Sequence, residues 1–207
     1  MTKGMSAQNR VKAPERAPET LAEALAEAGG RKDAAMAPYP VHLWSPPYCG
    51  EMDLCICRDG TWLHEGRPIR RPALVRLFAR LLKREGDRYF LVTPAEKLGI
   101  TVEDVPFRAT DVTVTGQGAG QRLVIRTDLA GEVVAGPDHP LRPGPTAGPE
   151  AEAPCVLIRD GLDARLDRKT HFRLAEAGEI ARHADADWFG YRSDGVFFPF
   201  VPARLLD

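Results

Sequence analysis

Between residues 55 and 94, the pattern of apolar and polar positions changes from a strand period to a helix period and back. Two short apolar runs flank Asp59-Gly60, and an Asp-Gly pair in that setting is a strong β-hairpin signal. After a loop over residues 66 to 71, apolar residues recur three and four positions apart, which predicts a helix over residues 72 to 84. A buried strand over residues 89 to 93 follows. We expect three residues of the helix to be buried, namely Leu77, Phe78 and Leu81.

A similar order of elements occurs near the end of the chain. Asp160-Gly161 predicts a second hairpin, and residues 168 to 182 predict a second helix that Gly178 weakens. Two further strands are predicted between residues 188 and 201. The order of elements agrees more than the residues do, so a duplicated hairpin–helix–strand repeat is one interpretation and a chance likeness is the other.

The middle of the chain has a β pattern. Apolar and polar residues alternate from Phe107, and the chain turns at the glycine run over residues 116 to 120. This run superficially resembles a phosphate-binding loop. Such loops use the N-terminus of a following helix, however, and no helix is predicted here, so we interpret the run as a hairpin turn. A long loop rich in Pro and Gly is predicted over residues 136 to 154.

Together these elements predict an α+β protein built from two small antiparallel sheet-plus-helix units. Residues 1 to 40 are predicted to be a flexible tail because they are rich in Pro, Ala and Glu. The first unit is expected over residues 41 to 106. The second, richer in β structure, is expected over residues 107 to 207.

The composition of the chain argues against several classes of function. The chain has 207 residues, 43% of them hydrophobic, and a formal net charge of −1, which gives no electrostatic case for binding nucleic acid or an anionic membrane. No apolar run approaches the roughly 20 residues of a membrane helix, and no signal peptide is visible. We therefore expect a cytoplasmic protein whose four cysteines are reduced thiols.

Two segments carry candidate binding residues. Cys49, Glu51 and Asp53 follow a Pro-broken stretch, while His139 and Arg142 lie in the long loop. If the two segments meet, they place carboxylates beside a cationic pair, which suits a small polar, anionic or zwitterionic ligand. The other interpretation is that residues 49 to 53 form an extended strand with acids facing solvent, and that His139 lies on an incidental surface connection. The Cys spacing matches no zinc motif, so we predict no metal and no cofactor.

Basic residues of the predicted first helix form a possible partner surface. Arg76, Arg80, Lys83 and Arg84 can bind an acidic protein partner, although a solvated helix face has the same pattern. The patch lacks the interleaved aromatic residues of a single-strand nucleic-acid binder.

The run from Cys49 to Phe107 resembles the bacterial domain-of-unknown-function family 1285. The matching segments of this run include Cys49-Gly50, Asp59-Gly60-Thr61-Trp62, Pro68-Ile69 and Leu91-Val92-Thr93-Pro94, and His139-Pro140-Leu141-Arg142 resembles a further segment of the family. The resemblance implies an α+β fold with repeated units and a suspected role in signalling or ligand sensing. That family has no established catalytic residues, so none is carried over.

Two functions remain open from the sequence. The first is a non-catalytic ligand-binding or regulatory protein that uses the two candidate segments. The alternative is a small hydrolytic enzyme, metal-assisted or thiol-dependent, that uses Cys49, Glu51, Asp53 and His139.

Overall fold

The computed structural model describes residues 38–144 and 153–206. This part of the chain forms two six-stranded sheets, one three-stranded sheet and two α-helices. The fold is therefore α+β, as predicted, and mostly β. The predicted tail lies outside the described residues except for positions 38 to 40.

The first sheet contains the strands of the hairpin at Asp59-Gly60, a short strand after it, and the strands that follow the first helix. Its strands are β1 (Tyr48–Ile56), β2 (Trp62–His64), β3 (Arg67–Pro68), β4 (Leu82–Glu85), β5 (Arg88–Val92) and β6 (Lys97–Val102). Their order across the sheet is β3-β2-β1-β6-β5-β4. The short strand β3 lies in the segment predicted as a loop.

The second sheet joins the middle of the chain to the second hairpin. Its strands are β7 (Phe107–Thr115), β8 (Arg122–Thr127), β9 (Glu132–Val134), β10 (Leu141–Arg142), β11 (Cys155–Arg159) and β12 (Leu162–Leu166), in the order β10-β11-β12-β7-β8-β9. The third sheet is an antiparallel meander of β13 (Gly178–His183), β14 (Ala186–Ser193) and β15 (Val196–Pro202).

The six-stranded sheets are mixed, which corrects the prediction of purely antiparallel units. β1 pairs in parallel with β6, and β12 pairs in parallel with β7. In each of these parallel pairs, a long stretch of chain separates the two strands. Local turn signals predict hairpins between neighbouring strands and carry no information about such non-local pairings.

Both helices are shorter than predicted, because in each case the last residues of the predicted helix belong to a strand. Helix α1 (Pro72–Leu81) begins with proline at a position where its missing N–H costs nothing. At Leu82 the backbone turns to extended angles, with φ −63° and ψ 134°, and continues as β4. Leu82 is fully buried opposite Leu91 of β5, so the sheet uses an apolar residue that the helical period had assigned to the helix. Leu77 is only half-buried, contrary to the prediction, whereas Phe78 and Leu81 are buried.

Helix α2 (Arg168–Ala175) ends well before the predicted limit of residue 182. Its start is capped by Asp167, whose carboxylate accepts a 2.7 Å hydrogen bond from the Thr170 backbone N–H. The chain then enters β13 at Gly178, the residue that weakens the helical pattern.

Buried hydrophobic residues from all three sheets and both helices form one continuous cluster. Ile56, Phe78, Phe107, Leu174 and Phe198 belong to it. A smaller cluster contains Val41, Phe90 and Val92. The two halves of the chain thus share a core.

The glycine run forms a turn between β7 and β8, with a short 3₁₀ helix over Gly118–Gly120, as the hairpin interpretation predicted. Within the described ranges 38–144 and 153–206, no helix is long and apolar enough to cross a membrane.

Candidate functional site

The first candidate segment is part of a strand. Cys49, Glu51 and Asp53 lie on β1, and both acidic residues are exposed, as the extended-strand interpretation predicted. The Glu51 carboxylate accepts hydrogen bonds from Arg88 and from the Tyr48 hydroxyl. The Cys49 thiol lies 3.4 Å from the carbonyl oxygen of Pro47. These contacts stay within the first sheet.

The second candidate segment lies at the edge of the second sheet. Nδ1 of His139 is 3.0 Å from the carbonyl oxygen of Leu157. Arg142, on β10, donates a hydrogen bond from Nη2 to Oδ2 of Asp163 on β12. The partners of the two candidate segments are therefore different residues in different sheets, and a shared pocket remains a prediction.

Arg142 leads to a charged site that sequence reasoning missed. The Asp163 side chain is 4% exposed, and its Oδ2 accepts from Arg142 and lies 4.0 Å from Nη1 of Arg84. The same Nη1 of Arg84 donates a 3.0 Å hydrogen bond to the carbonyl oxygen of Gly161. Arg84 comes from β4 and the other residues from the second half of the chain. We call Arg84, Arg142 and Asp163 the Asp163 site.

The second carboxylate oxygen, Oδ1 of Asp163, is buried and accepts no hydrogen bond from any residue that the structure describes. Three other buried polar atoms in the described part also have no hydrogen-bond partner, namely Nε1 of Trp62, Nε of Arg159 and Oγ1 of Thr170. Asp163 differs from them because it is a carboxylate lying next to a side chain that solvent can reach. Arg142 is 48% exposed. A buried acceptor without a donor is unfavourable, by about 1–3 kcal/mol.

A buried ion pair lies beside the Asp163 site. Arg165 donates to the two oxygens of Asp104 over 2.5 Å and 2.6 Å, and both side chains are 7% exposed. Arg165 also donates to the carbonyl oxygen of Ala153, at 3.1 Å. Because Asp104 follows β6 and Arg165 lies on β12, this bidentate pair joins the two halves of the chain. Arg165 is thus already neutralised by Asp104.

Burial is the largest cause of the pKa shifts of the titratable groups in and around the site. Burial raises the pKa of Asp163, although Arg142, Arg84 and Arg165 each act to lower it. Burial likewise raises the pKa of Tyr89, whose ring lies 5.5 Å from the Arg84 guanidinium. Burial also raises the pKa of the neighbouring Cys155 thiol to about 12, so this cysteine is protonated at neutral pH.

Asp163 was not selected as a site residue, because the alternating pattern of its strand does not predict its burial. Leu162, Ala164 and Leu166 alternate with charged residues, which predicts one apolar face and one solvated face. All five residues of β12 are in fact buried, because the strand lies between β11 and β7 in the middle of the sheet. The available signal was the opposite charge of Asp163 and Arg165, two positions apart on one face.

The predicted basic patch is divided between a helix and a strand. Arg76 is exposed on α1, and the Arg80 guanidinium stacks 4.2 Å from the Tyr39 ring. Lys83 and Arg84 lie on β4, where Lys83 forms a 3.1 Å ion pair with Glu85 and Arg84 enters the Asp163 site. An acidic partner for these residues remains a prediction.

All four cysteines lie in the described part of the chain and none is in a disulfide. The ligand atoms of Cys55, Cys57 and Glu103 lie within 4.8 Å of one another. Two thiols and a carboxylate at this separation can hold a metal ion, in contrast to the predicted absence of a metal site.

Two family models match consecutive parts of the chain. The N-terminal domain of the DUF1285 family, a domain of unknown function, matches residues 39–105, and the C-terminal domain of the same family matches residues 106–200. The chain belongs to the DUF1285 family. The resemblance inferred from the sequence is therefore confirmed.

Solved structures of the family are similar to this chain. A DUF1285 family protein from Silicibacter pomeroyi DSS-3 is 48% identical, with a TM-score of 0.77, over 89% of this chain and 96% of that chain. A DUF1285 family protein from Shewanella baltica OS155 is 21% identical, with a TM-score of 0.47, over 60% of this chain and 91% of that chain. The comparison with curated proteins gave no match.

Proposed function

We propose that this DUF1285 protein is a non-catalytic binding protein for a small zwitterion, and that the Asp163 site is where the ligand binds. The observation that carries the proposal is the buried Oδ1 of Asp163, which has no donor among the described residues. An ammonium or hydroxyl group of a ligand would supply that donor. This completes a hydrogen bond that the fold leaves open, which favours binding.

The two arginines of the Asp163 site would bind an anionic group on the same ligand. Arg84 and Arg142 surround one carboxylate, so guanidinium groups are in excess within the site. Arg84 also lies 3.6 Å from Asp87, but that carboxylate is fully exposed and its influence is weakened by solvent. Arg142 is half-exposed and covers Asp163, so it can turn towards a carboxylate or phosphate that arrives from solvent.

Cysteine chemistry at this site fits binding better than catalysis. Cys155 lies next to Arg142 and Arg165 in the strand register. Nucleophilic cysteines are thiolates at neutral pH, whereas the pKa of Cys155 is raised to about 12. A thiol-dependent enzyme centred here would need the opposite shift.

The proposal is tested by a binding screen. The reduced protein is screened by thermal shift against amino acids and phosphorylated amino alcohols, and the dissociation constants of the compounds that stabilise it are measured by calorimetry. Arg142→Gln should weaken binding by roughly 1.5–3 kcal/mol, because a charge-assisted hydrogen bond is lost. Analogues in which a neutral group replaces the anionic group should bind the variant no more weakly than the wild type.

A matched control comes from the same sheet. Arg126, on β8, forms an exposed 2.8 Å ion pair with Glu132, so Arg126→Gln removes the same charge from a surface position. It should leave the dissociation constant unchanged. If both variants weaken binding equally, the effect comes from the net charge of the protein and not from Arg142 itself. If Arg142→Gln loses as much stability as binding, Arg142 has a structural role as the ion-pair partner of Asp163.

A further inference from the structure

A group of two thiols and a carboxylate lies at one end of the first sheet, remote in sequence from the Asp163 site. β1 and β6 run in parallel, with Cys55 opposite Thr101 and Ile56 opposite Val102. Cys57 is the first residue after β1, and Glu103 is the first residue after β6. Because parallel strands end at the same edge of a sheet, the three side chains meet there.

The backbone around this group is held by hydrogen bonds. The Glu103 N–H donates to the carbonyl oxygen of Ile56 at 3.0 Å, and the Arg58 N–H donates to Oε2 of Glu103 at 2.9 Å. The tight turn after Cys57 is closed by a 2.9 Å bond from the Gly60 N–H to the Cys57 carbonyl oxygen. One carboxylate oxygen of Glu103 is thereby oriented, and the other can coordinate an ion.

The separations suit a small thiophilic cation. The ligand atoms of Cys55, Cys57 and Glu103 lie within 4.8 Å of one another. Zn–S bonds of about 2.3 Å and Zn–O bonds of about 2.0–2.2 Å place the ligand atoms of a tetrahedral site roughly 3.5–4 Å apart, so small side-chain rotations suffice. Both cysteines are partly exposed, which leaves access for an ion.

Neighbouring charge favours a cation and the strand geometry disfavours a disulfide. Asp53 lies on the same face of the strand as both cysteines, because side chains two apart share a face, and it is exposed. A strand rise of about 3.2–3.4 Å per residue puts the Cα atoms of Cys55 and Cys57 roughly 6.4–6.8 Å apart, at the upper limit for a disulfide.

We propose that Cys55, Cys57 and Glu103 form a binding site for one zinc ion or a similar thiophilic divalent cation. Coordination replaces the protons of the two thiols, which are released to solvent, with metal–sulfur bonds. The three protein ligands leave a fourth position for water or a small anion, as in zinc sites that are not closed by four protein ligands. The spacing of the cysteines alone gave no such signal, because the carboxylate belongs to the residue after β6, more than 40 residues later in the chain.

The test is metal binding by the full-length reduced protein after treatment with a chelator. Zn²⁺ is titrated in competition with a chromophoric chelator, and Co²⁺ is added separately as a spectroscopic probe. The expected results are one equivalent of Zn²⁺ and a thiolate-to-Co²⁺ charge-transfer band in the near ultraviolet. Cys55→Ser and Cys57→Ser should each lower the intensity of the band by at least half and weaken zinc binding at least ten-fold, and Glu103→Gln should weaken zinc binding but retain the full band.

Two controls lie on the same strand. Cys49→Ser and Glu51→Gln remove a thiol and a carboxylate from β1 outside the group, and both should retain full binding. Unchanged far-ultraviolet circular dichroism of each variant shows that it has folded, and the partly exposed Cys57 also allows Cys57→Ala as a second variant. A stoichiometry near zero, a Co²⁺ spectrum without the charge-transfer band, or equal loss in Cys49→Ser would overturn the proposal.

Discussion

Two regions of the molecule have the same order of elements but bury their residues to different extents. The first region, residues 48 to 102, runs from the hairpin β1–β2 through α1 to the meander β4–β5–β6. The second, residues 155 to 202, runs from the hairpin β11–β12 through α2 to the meander β13–β14–β15. The difference lies in how the meander is attached to its hairpin.

In the first region the meander pairs with the hairpin. β6 lies against β1, so hairpin and meander form one sheet under α1. In the second region other strands take both sides of the hairpin: β10 pairs with β11, the counterpart of β1, and β7 pairs with β12. The second meander therefore stands as a separate sheet with β13 at its edge.

Burial follows from this difference in pairing. Helix α1 buries Phe78, Ala79 and Leu81, whereas α2 buries only Thr170 and Leu174. Phe172 on α2 is 72% exposed and Ile180 on β13 is 61% exposed. The helix and the first meander strand are thus better buried when the meander pairs with its hairpin, and more exposed when other strands take the sides of the hairpin.

The largest expected effect compares one phenylalanine from each helix. Phe78→Ala should lower the free energy of unfolding by about 3–5 kcal/mol, because it opens a cavity in the shared core. Phe172→Ala should change it by no more than about 0.5 kcal/mol, because the ring is exposed. Urea denaturation measures both, and similar losses would contradict the difference in burial between the regions.

A second prediction concerns the ion pair that joins the halves. Arg165→Met should destabilise the protein by about 3–5 kcal/mol, because it leaves the buried Asp104 carboxylate without its partner. The double variant Arg165→Met, Asp104→Leu should recover much of this loss, since no charge is then left buried. A double variant that is as unstable as the sum of its single variants would show that the two residues act independently.

A smaller effect is expected from pH. Because burial raises the folded-state pKa of Asp163 above its ordinary value of 3.8, the stability that this residue contributes is present below that value and is lost as pH rises through the raised pKa. Asp163→Asn does not titrate and lacks this loss. The free energy of unfolding of the variant relative to wild type should therefore increase as pH rises from about 3.8. A relative stability that falls over that range would mean that the arginines outweigh burial.

Local signals in the sequence were sufficient for much of this fold. The turns at Asp59-Gly60 and Asp160-Gly161 and the starts of both helices were predictable from nearby residues alone. The strand after the first helix was missed because Leu82 continues a helical period that pairing with β5 overrides. The strand after the second helix was missed because the helix was predicted to extend to residue 182, whereas residues from Gly178 pair with β14. Both parallel pairings are non-local and left no local signal.

The candidate site was predictable only in part. Arg142 was selected because charged residues in a long loop suggest function, and its side chain donates a hydrogen bond to Asp163. Asp163 itself was not selected, because its burial depends on β7 lying beside β12. Glu103 was not selected, since only the pairing of β1 with β6 brings it to the cysteines.

The most direct test of the proposed function is the titration of the Asp163 carboxyl carbon, followed by ¹³C NMR with and without the tightest-binding compound of the screen. Asp163→Asn identifies the resonance. If a ligand ammonium or hydroxyl donates to Oδ1, the charged carboxylate is stabilised, and the pKa of Asp163 should fall on binding. An unchanged pKa in the ligand-saturated protein, or a screen without a bound compound, would contradict the account.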